Sequence, residues 1–540
     1  MTQSLNSPVI SLDKIKARAP SLRGFLALLV VLVAAVPLLF VLFSSGQLSL
    51  QQWVNLWSNR LPELLWNTLS LAVLVAIGSM ILGVSAAWWI TRRDFLGRRI
   101  AIWLMVLPLT IPTYVFAHIY TIMLDEDGWL GQLWLAIFPD TAVPEIFNIF
   151  GVTLVLVLAG FSYVFLLVKD ALSRSQQDIE EAARIHGATP WQVFWRINLP
   201  MLRPAIAAGI ALVVLHVLSD FGAVSMLRYQ TFTLSIYMQM SSRFDYQAAA
   251  GLSLVLVTLS LTFMVLERFF RNRQRYYGSG QSKKITARKA TRFETAAIWF
   301  WLGLIAIFAF LLPIAWMLSW TWQAWQQDLI DTEFWGYVSN SLTVSAMAAT
   351  LTVIAALPVA LYHARERSAT SQGFLYLSSI GFVLPGPVIA LGILSFVIAT
   401  MPAIYGGMVV LALAMMVRFL PLSIQAQESA VQQLTPSIEQ AARSLGANWY
   451  ENLRRVILPI LKGGMATAWV LVFIDTLKEL PATLLLRPTG FDTLPVRIWI
   501  EASEEMLELA APASLMLVVG TLPVLWFLMR DNKRHDKSGK

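Results

Sequence analysis

Ionisable side chains within two apolar stretches are the residues of this 540-residue chain most suited to chemistry. His216 and Asp220 are four positions apart in one stretch, and Asp475 and Glu479 are four positions apart in the other. A spacing of four places both members of a pair on one face of a helix. Ionisable groups cost about 2.5 to 3.5 kcal/mol at the centre of a membrane helix, so a functional role is the first hypothesis. Three carboxylates and an imidazole suit a cationic cargo, and oxygen ligands suit a hard metal ion.

A structural role for the same residues stays open at this point. They lie near the outer ends of their stretches, where water solvates them or a neighbouring cation pairs with them. Asp475 has Lys478 nearby as a partner, and Glu479 has Arg487. The sequence therefore assigns no metal ligand firmly.

Other reactive groups are scarce. The chain has no cysteine, which excludes disulfides, thiolate nucleophiles and cysteine-ligated metals. Tyr114 and His118 are weaker pathway candidates, because a buried tyrosine or histidine usually just finds a hydrogen-bond partner. Residues 278–284 contain Gly, Ser and Lys, but not at the spacing of a nucleotide-binding loop. With no catalytic cluster evident, we predict that the chain is not an enzyme.

The composition indicates a membrane protein. Hydrophobic residues make up 57% of the chain, charged residues 13%, and the mean hydropathy is +0.64. A soluble protein has about 25% charged residues. Apolar windows of about 20 residues, the length of a membrane-crossing helix, predict an all-α membrane protein with about twelve transmembrane helices. They are expected near residues 24–44, 66–90, 100–122, 150–169, 204–227, 247–267, 297–319, 340–362, 374–400, 405–425, 463–486 and 507–529.

The distribution of positive charge predicts the orientation. Lys and Arg are concentrated in residues 14–23, before the first helix, and in residues 92–99, after the second. Residues 125–145, after the third helix, are acidic and include no Lys or Arg. Because basic loops stay on the cytoplasmic side, both termini are predicted to be cytoplasmic. Topology and anionic lipid then explain the net charge of +8, and we predict no nucleic-acid partner.

An internal repeat divides the chain. Residues 180–188 read Glu-Glu-Ala-Ala-Arg-Ile-His-Gly-Ala, and residues 439–447 read Glu-Gln-Ala-Ala-Arg-Ser-Leu-Gly-Ala, 259 positions later. The same offset relates the two ionisable pairs described above. Asn67 matches Asn340 at an offset of 273. Each half contains six predicted helices, an even number, so the halves enter the membrane in the same direction and form two parallel six-helix repeats.

The repeated segment is predicted to form a helix, a sharp turn and a second helix in a cytoplasmic loop of each half. Gly187 and Gly446 stand where a left-handed residue would end the first helix. Glutamate and arginine four positions apart are expected to pair within that helix, as Glu180 with Arg184 and Glu439 with Arg443. The expected capping residues are Asp178 and Ser437 for the first helices, and Thr189 and Asn448 for the second ones.

This motif resembles the cytoplasmic coupling loop of membrane subunits of ATP-binding-cassette (ABC) importers, the EAA motif. It reads Glu/Gln-Ala-Ala, three residues, Gly, and then Leu-Pro twelve and thirteen residues beyond the Gly, and it occurs twice. The second copy departs from the usual pattern with Gln440 in place of Glu. The residues that correspond to the ATPase-coupling motif are Glu180, Glu181, Ala182, Ala183, Arg184 and Gly187, and in the second copy Glu439, Gln440, Ala441, Ala442, Arg443 and Gly446.

The resemblance implies a type I importer permease of the fused double-permease kind. Helices 178–186 and 437–445 would dock on two separate ATPase subunits, which bind ATP and magnesium, while this chain binds no cofactor itself. The implied domains are an N-terminal tail with the first helix and its outer loop at 1–64, a first ABC permease domain at 65–267, a basic cytoplasmic linker at 268–296, the seventh helix and its outer loop at 297–338, a second ABC permease domain at 339–529, and a cytoplasmic tail at 530–540.

Two further strings resemble the ferric-iron branch of these importers. They are Ser-Asp-Phe-Gly-Ala-Val at 219–224 and Asp-Thr-Leu-Lys-Glu-Leu-Pro-Ala-Thr at 475–483, together with the fusion of both halves in one chain. This resemblance implies a multi-pass permease of the bacterial inner membrane that carries ferric iron delivered by a periplasmic binding protein. The alternatives are a permease for thiamine or another small solute and, less favoured, an ion-coupled secondary transporter with twelve helices.

Overall fold

A computed structural model describes residues 22–173, 177–272, 287–366, 368–432, 434–504, 506 and 509–523. The basic residues at 14–18, residues 273–286 of the predicted linker and the C-terminal tail lie outside the described residues. The structure is 83% helical. In its described part, the two strands are β1 (Arg93–Asp94) and β2 (Arg288–Lys289), which pair in parallel.

The described part of the first half contains thirteen α-helices, of which the long ones are separated by one or more short ones. A π-helical turn at Phe194–Asn198 joins α9 to α10. The helices are α1 Leu22–Gly46, α2 Leu50–Asn59, α3 Leu61–Arg92, α4 Arg98–Val106, α5 Thr113–Met123, α6 Trp129–Ile137, α7 Ile149–Ser173, α8 Gln177–Ile185, α9 Pro190–Val193, α10 Leu199–Ser219, α11 Gly222–Met226, α12 Phe232–Ser241 and α13 Tyr246–Asn272.

The second half repeats this order. The π-helical turn at Leu453–Ile457, which joins α21 to α22, matches that of the first half, and a further one at Ile307–Leu311 joins α14 to α15. The helices are α14 Arg292–Ala306, α15 Leu312–Gln326, α16 Thr332–Arg365, α17 Ala369–Ser378, α18 Gly386–Thr400, α19 Met408–Val431, α20 Pro436–Ser444, α21 Trp449–Asn452, α22 Leu458–Leu477, α23 Pro481–Leu486, α24 Leu494–Ser503 and α25 Leu509–Pro523.

Nine helices of the described chain are long and apolar enough to cross a membrane, or ten if a bent pair counts as one span. The bent pair is the predicted third span, which turns by 97° between Thr110 and Thr113. Pro108 and Pro112 explain this bend, because proline donates no backbone hydrogen bond. The predicted ninth and twelfth spans contain the shorter apolar helices α18 and α25.

Two predicted spans have different bounds in the structure. We expected helices at 204–227 and 463–486, but the spanning helices run over Trp191–Ser219 and Trp449–Leu477. Each therefore begins in the repeated loop and ends one or two residues before an acidic residue, Asp220 or Glu479. The apolar windows continued into the short helices α11 and α23, because hydropathy does not report a break in helix direction.

The two halves have the same internal packing. In the first half α3, α7 and α10 pack together, and in the second half α16, α19 and α22 do so. Asn67 Nδ2 donates to the Gln230 carbonyl at 3.0 Å, and Asn340 Nδ2 donates to the Asp492 carbonyl at 3.0 Å. The predicted parallel repeat is therefore present in the fold.

The first helix of each half packs against the other half. Helix α1 lies against α16 and α18, and α14 lies against α3 and α4. At the first contact, a Cβ on Gly392 would lie 2.4 Å from the Pro37 Cα atom, so only glycine permits this approach. At the second, Trp301 Nε1 donates to Ser85 Oγ at 3.0 Å. This exchange of helices, which the sequence did not predict, joins the halves into one body.

Candidate functional site

A cavity of about 260 Å³ lies where the two halves meet. Its wall includes all four ionisable residues singled out from the sequence, His216, Asp220, Asp475 and Glu479. They come from the ends of α10 and α22, which are equivalent helices of the two repeats. In the described residues, no group of three or more His, Asp or Glu side chains is arranged to hold a metal ion.

Breaks in two further helices complete the wall. The bend before α5 and the equivalent break before α18 both line the cavity. Thr113 and Gly386, which are 273 positions apart, occupy the same place in these breaks and each meets the acidic residue of its own half. Thr113 Oγ1 donates to Asp220 Oδ2 at 2.5 Å, and a Cβ on Gly386 would lie 2.6 Å from Glu479 Oε1.

Asp220 serves as a local cap. Its Oδ1 accepts from the backbone N–H groups of Ala223 at 3.0 Å and Val224 at 3.3 Å. The Asp220 carbonyl also accepts from Thr233 Oγ1 at 2.6 Å. Together with the bond from Thr113, these bonds occupy both oxygens of the Asp220 carboxylate. Asp220 therefore caps the following helix α11 while it also lines the cavity.

The second-half acids pair with cations instead. Arg418 Nε lies 2.8 Å from Glu479 Oε2, and Lys478 Nζ lies 3.7 Å from Asp475 Oδ1. The Asp475–Lys478 pair was anticipated. The expected partner of Glu479, Arg487, pairs with Asp492. Arg418, on α19, was missed because nothing in the local sequence relates it to Glu479.

The aromatic candidates divide between the cavity and the core. Tyr114 lines the cavity, and so does Tyr163, whose ring centroid is 6.0 Å from that of His216. His118 is buried and makes an edge contact with Trp316 at 5.8 Å, away from the cavity wall. Of the two weaker candidates from the sequence, Tyr114 and His118, only Tyr114 therefore lines the cavity.

The repeated loops form the predicted helix, turn and helix. Gly187 and Gly446 have φ values of +84° and +87°. Ala188 N–H donates to the Ala183 carbonyl at 3.0 Å, and Ala447 N–H donates to the Ala442 carbonyl at 3.1 Å. Each bond joins an N–H group to the carbonyl five positions earlier, across a left-handed glycine. This is the pattern of a Schellman C-cap.

The caps of these loops follow the prediction in part. Thr189 and Asn448 form the expected capping boxes with the glutamine or glutamate three positions on. Ser437 does not cap α20, because that helix begins at Pro436 and has Thr435 as its N-cap residue. Pro at the first helical position explains the earlier start. The side chains of Asp178 and Glu181 lie outside the described part.

Comparison with known proteins places this architecture in a family. Residues 79–276 and 352–534 each match the family described as binding-protein-dependent transport system inner membrane component. The chain belongs to this family. The permease is thus a multi-pass inner-membrane subunit of a binding-protein-dependent transport system with the permease domain present twice, which excludes an ion-coupled secondary carrier.

Individual relatives extend the comparison. The permease is 32% identical to the Fe(3+)-transport system permease protein FbpB 2 of Haemophilus influenzae, over 93% of this chain and 96% of the relative. It is 26% identical to the ferric transport system permease protein FbpB of Actinobacillus pleuropneumoniae, over 85% and 70% of the two chains. A crystal structure of a bacterial ABC transporter involved in alginate import matches at 19% identity with a TM-score of 0.39, over 44% of this chain and 88% of that chain.

Ion pairs fix both repeated loops of the permease to the spans. The Glu180 carboxylate pairs with Arg92 at the end of α3, and Arg92 also donates to Asn198 Oδ1 at 3.1 Å. In the second half, Arg365 at the end of α16 donates to Glu439 Oε1 at 2.6 Å. Arg92 and Arg365 are equivalent, 273 positions apart.

Of the two pairs predicted within a helix, Glu180 with Arg184 is present at a longer distance, and Glu439 has other partners than Arg443. Arg184 lies 4.0 Å from Glu180 and is 60% exposed, so it is the weaker partner. Glu439 pairs with Arg23 and Arg365 and not with Arg443. The prediction considered neighbours within one helix, whereas the buried carboxylates face the spans above them.

The second loop has an additional cation from α1. Arg23 donates to Glu439 Oε2 at 2.8 Å. Burial of the Glu439 carboxyl alone would raise its pKa, but hydrogen bonds and charge from Arg23 and Arg365 outweigh burial and hold the pKa below its ordinary 4.5. The Glu439 carboxylate is therefore ionised in the folded protein at neutral pH.

The opposite surface of each loop is apolar and exposed. Ile185 is 83% exposed, Leu445 is 89% exposed and Trp191 is 70% exposed. Apolar side chains at the tip of a rigid loop are typical of a protein contact. The loops thus have one face held by buried ion pairs and another available to a partner.

Proposed function

We propose that the permease carries ferric iron across the inner membrane, after delivery by a periplasmic binding protein. The observation that carries the proposal is 32% identity to a ferric-transport permease along nearly the whole of both chains. The cavity between the halves supports a cationic cargo, because three carboxylates line it against two cations, Arg418 and Lys478.

The energy source in this proposal is a pair of ATPase subunits, each docked on one repeated loop. Hereafter we call α8 and α20 the coupling helices. Their exposed apolar tips supply the surface on which the ATPases dock. The buried Arg92–Glu180 and Arg365–Glu439 pairs then transmit movement of the coupling helices to α3 and α16. ATP and magnesium are bound by the ATPases, and both termini of the permease are cytoplasmic.

Uptake in cells tests the cargo. A strain that lacks the permease is complemented with the wild-type chain and supplied with labelled ferric iron, thiamine or sulfate at limiting concentration. We expect restoration of iron uptake alone. Restoration of thiamine or sulfate uptake without iron uptake would replace the proposed cargo.

A second experiment tests the pathway residues. The combined variant His216→Gln, Asp220→Asn, Asp475→Asn and Glu479→Gln removes every acid and the imidazole from this set. We expect iron uptake at limiting supply to fall by more than tenfold while the chain remains in the membrane. Unchanged uptake would remove these residues from the pathway.

Energy coupling is tested in the same cells. An ionophore that collapses the proton gradient, applied while ATP is maintained, should leave iron uptake in place. Depletion of ATP should abolish it. The reverse pattern would contradict an ATP-driven importer.

A further inference from the structure

The cavity wall is asymmetric in charge although its backbone is symmetric. At the offset of 259 positions, Arg418 corresponds to Ala159 and Lys478 corresponds to Ser219, and all four residues line the cavity. The second half therefore contributes two cations where the first contributes two small residues. Carboxylates, in contrast, come from both halves.

The two cations contact the groups that would attract a cationic cargo. Arg418 pairs with Glu479 at 2.8 Å, and Lys478 lies 3.7 Å from Asp475. Lys478 Nζ also donates to the Leu109 carbonyl of the first half at 3.2 Å. This carbonyl belongs to the broken third span, where backbone oxygens at a helix break can bind a cation.

Two side-chain oxygens in the same wall, the Tyr114 hydroxyl and Glu479 Oε1, are buried and have no hydrogen-bond partner within the described chain. Buried hydroxyls normally have a partner, so an unused one in a cavity wall indicates a ligand or water that completes it. Tyr114 comes from the first half, opposite the cation-paired acids of the second.

We propose that Arg418 and Lys478 are built-in counter-cations, which occupy Glu479 and Asp475 when cargo is absent and which a passing metal cation displaces. The proposal rests on the proposed function in that the cargo is a cation. It makes Arg418 and Lys478 specificity-determining residues. They keep the second-half acids from retaining a metal ion, and displacement of Lys478 also releases its contact with the first half.

The first-half residues supply the matched variants. Arg418→Ala and Lys478→Ser install the residues that the first half has at the equivalent positions, Ala159 and Ser219. Each variant therefore removes a charge and leaves a side chain that the repeat accepts in its other copy. The full-length permease, purified with its ATPase subunits, is titrated with terbium(III), a hard trivalent cation. Tyr114 and Tyr163 in the wall sensitise terbium luminescence on excitation of tyrosine.

We expect the double variant to bind terbium about tenfold or more tightly than wild type, since a full opposing charge next to each acid is removed. Adding Asp475→Asn and Glu479→Gln should return the affinity to the wild-type value or below. Equal affinity of the double variant and wild type would overturn the proposal. A gain that persists without the two acids would overturn it as well.

The single variant Lys478→Ser tests the proposal even if the double variant does not fold. The Asp475 side chain is 44% exposed, so loss of its partner leaves a solvated charge. This variant should show a smaller gain in terbium affinity that Asp475→Asn reverses, and no gain would overturn the role of Lys478. If the cargo is not iron, uptake assays fail while these affinity shifts remain, so the two proposals fail separately.

Discussion

The two coupling helices are predicted to differ in their dependence on one arginine. Among the described residues, Arg92→Ala leaves the buried Glu180 with Arg184 as its cation, which lies 4.0 Å away and is largely exposed. Arg365→Ala leaves Glu439 with Arg23, which still donates at 2.8 Å. The same substitution at equivalent positions should therefore have unequal consequences.

The free-energy cost of each substitution follows from the cations that remain next to the glutamate. Removing one member of a buried ion pair costs about 3 to 5 kcal/mol, which we expect for docking of α8 in Arg92→Ala. Removing one of two hydrogen-bonded cations costs about 1.5 to 3 kcal/mol, which we expect for α20 in Arg365→Ala. The double variant Arg23→Ala and Arg365→Ala should reach the cost of Arg92→Ala.

Hydrogen exchange of the purified complex measures these differences, because each 1.4 kcal/mol changes the population of the undocked helix about tenfold. Exchange in residues 177–185 should rise more in Arg92→Ala than exchange in residues 436–444 rises in Arg365→Ala. The ATP hydrolysed per cargo imported should rise in the same order. Equal effects, or no added effect of Arg23→Ala, would refute the assignment of these partners.

Three further predictions concern a turn, an acid and helix packing. Gly446→Val should abolish cargo-stimulated ATP hydrolysis, whereas Gly406→Val, also at a left-handed residue in open space, should retain it. Because the folded pKa of Glu439 is lowered, its ionised carboxylate stabilises the docked helix α20 fully above about pH 4.5. This stabilisation is lost as the pH falls through the folded pKa, and hydrogen exchange of α20 measures the loss. Gly83→Ala places Cβ 2.8 Å from a carbon of α7 and should cost about 1 to 3 kcal/mol in thermal unfolding. Gly303→Ala meets no atom within 4 Å and should not destabilise.

Each of these has a contradicting result. Coupled hydrolysis that survives Gly446→Val would show that the turn is not at the ATPase contact. Loss of helix protection well above pH 4.5, or the same acid response in Glu439→Gln, would assign it to another group. Equal melting temperatures for Gly83→Ala and Gly303→Ala would mean that α3 and α7 can separate without cost.

Features that depend on neighbouring residues could be predicted from the sequence. The turns at Gly187 and Gly446 and the capping boxes after them are formed by residues within six positions of one another. The repeat offset also carried structural information, since it placed the two ionisable pairs at equivalent helix ends. Both kinds of signal are contained in a short window or in a comparison of two windows.

Partners across the fold could not be predicted. Arg92 read as a topology signal, and its buried contact with Glu180 depends on how α8 folds back under α3. Arg418 was not singled out from the sequence, and its contact with Glu479 depends on the packing of α19 against the end of α22. The bounds of two spans were wrong for a related reason, because an apolar window continues through a change of helix direction.

The sequence by itself determined that this chain is a twice-repeated membrane permease with a helix–turn–helix loop in each repeat and acidic residues at equivalent positions of the two repeats. Those conclusions rest on hydropathy, local capping chemistry and self-similarity, which are properties of the chain as written. Only the tertiary structure decided which charges meet, that α1 and α14 exchange between the halves, and that two cations already occupy the second-half acids. Ion pairing acts over a few ångströms in space, and residues separated by tens of positions reach that distance only after the helices have packed.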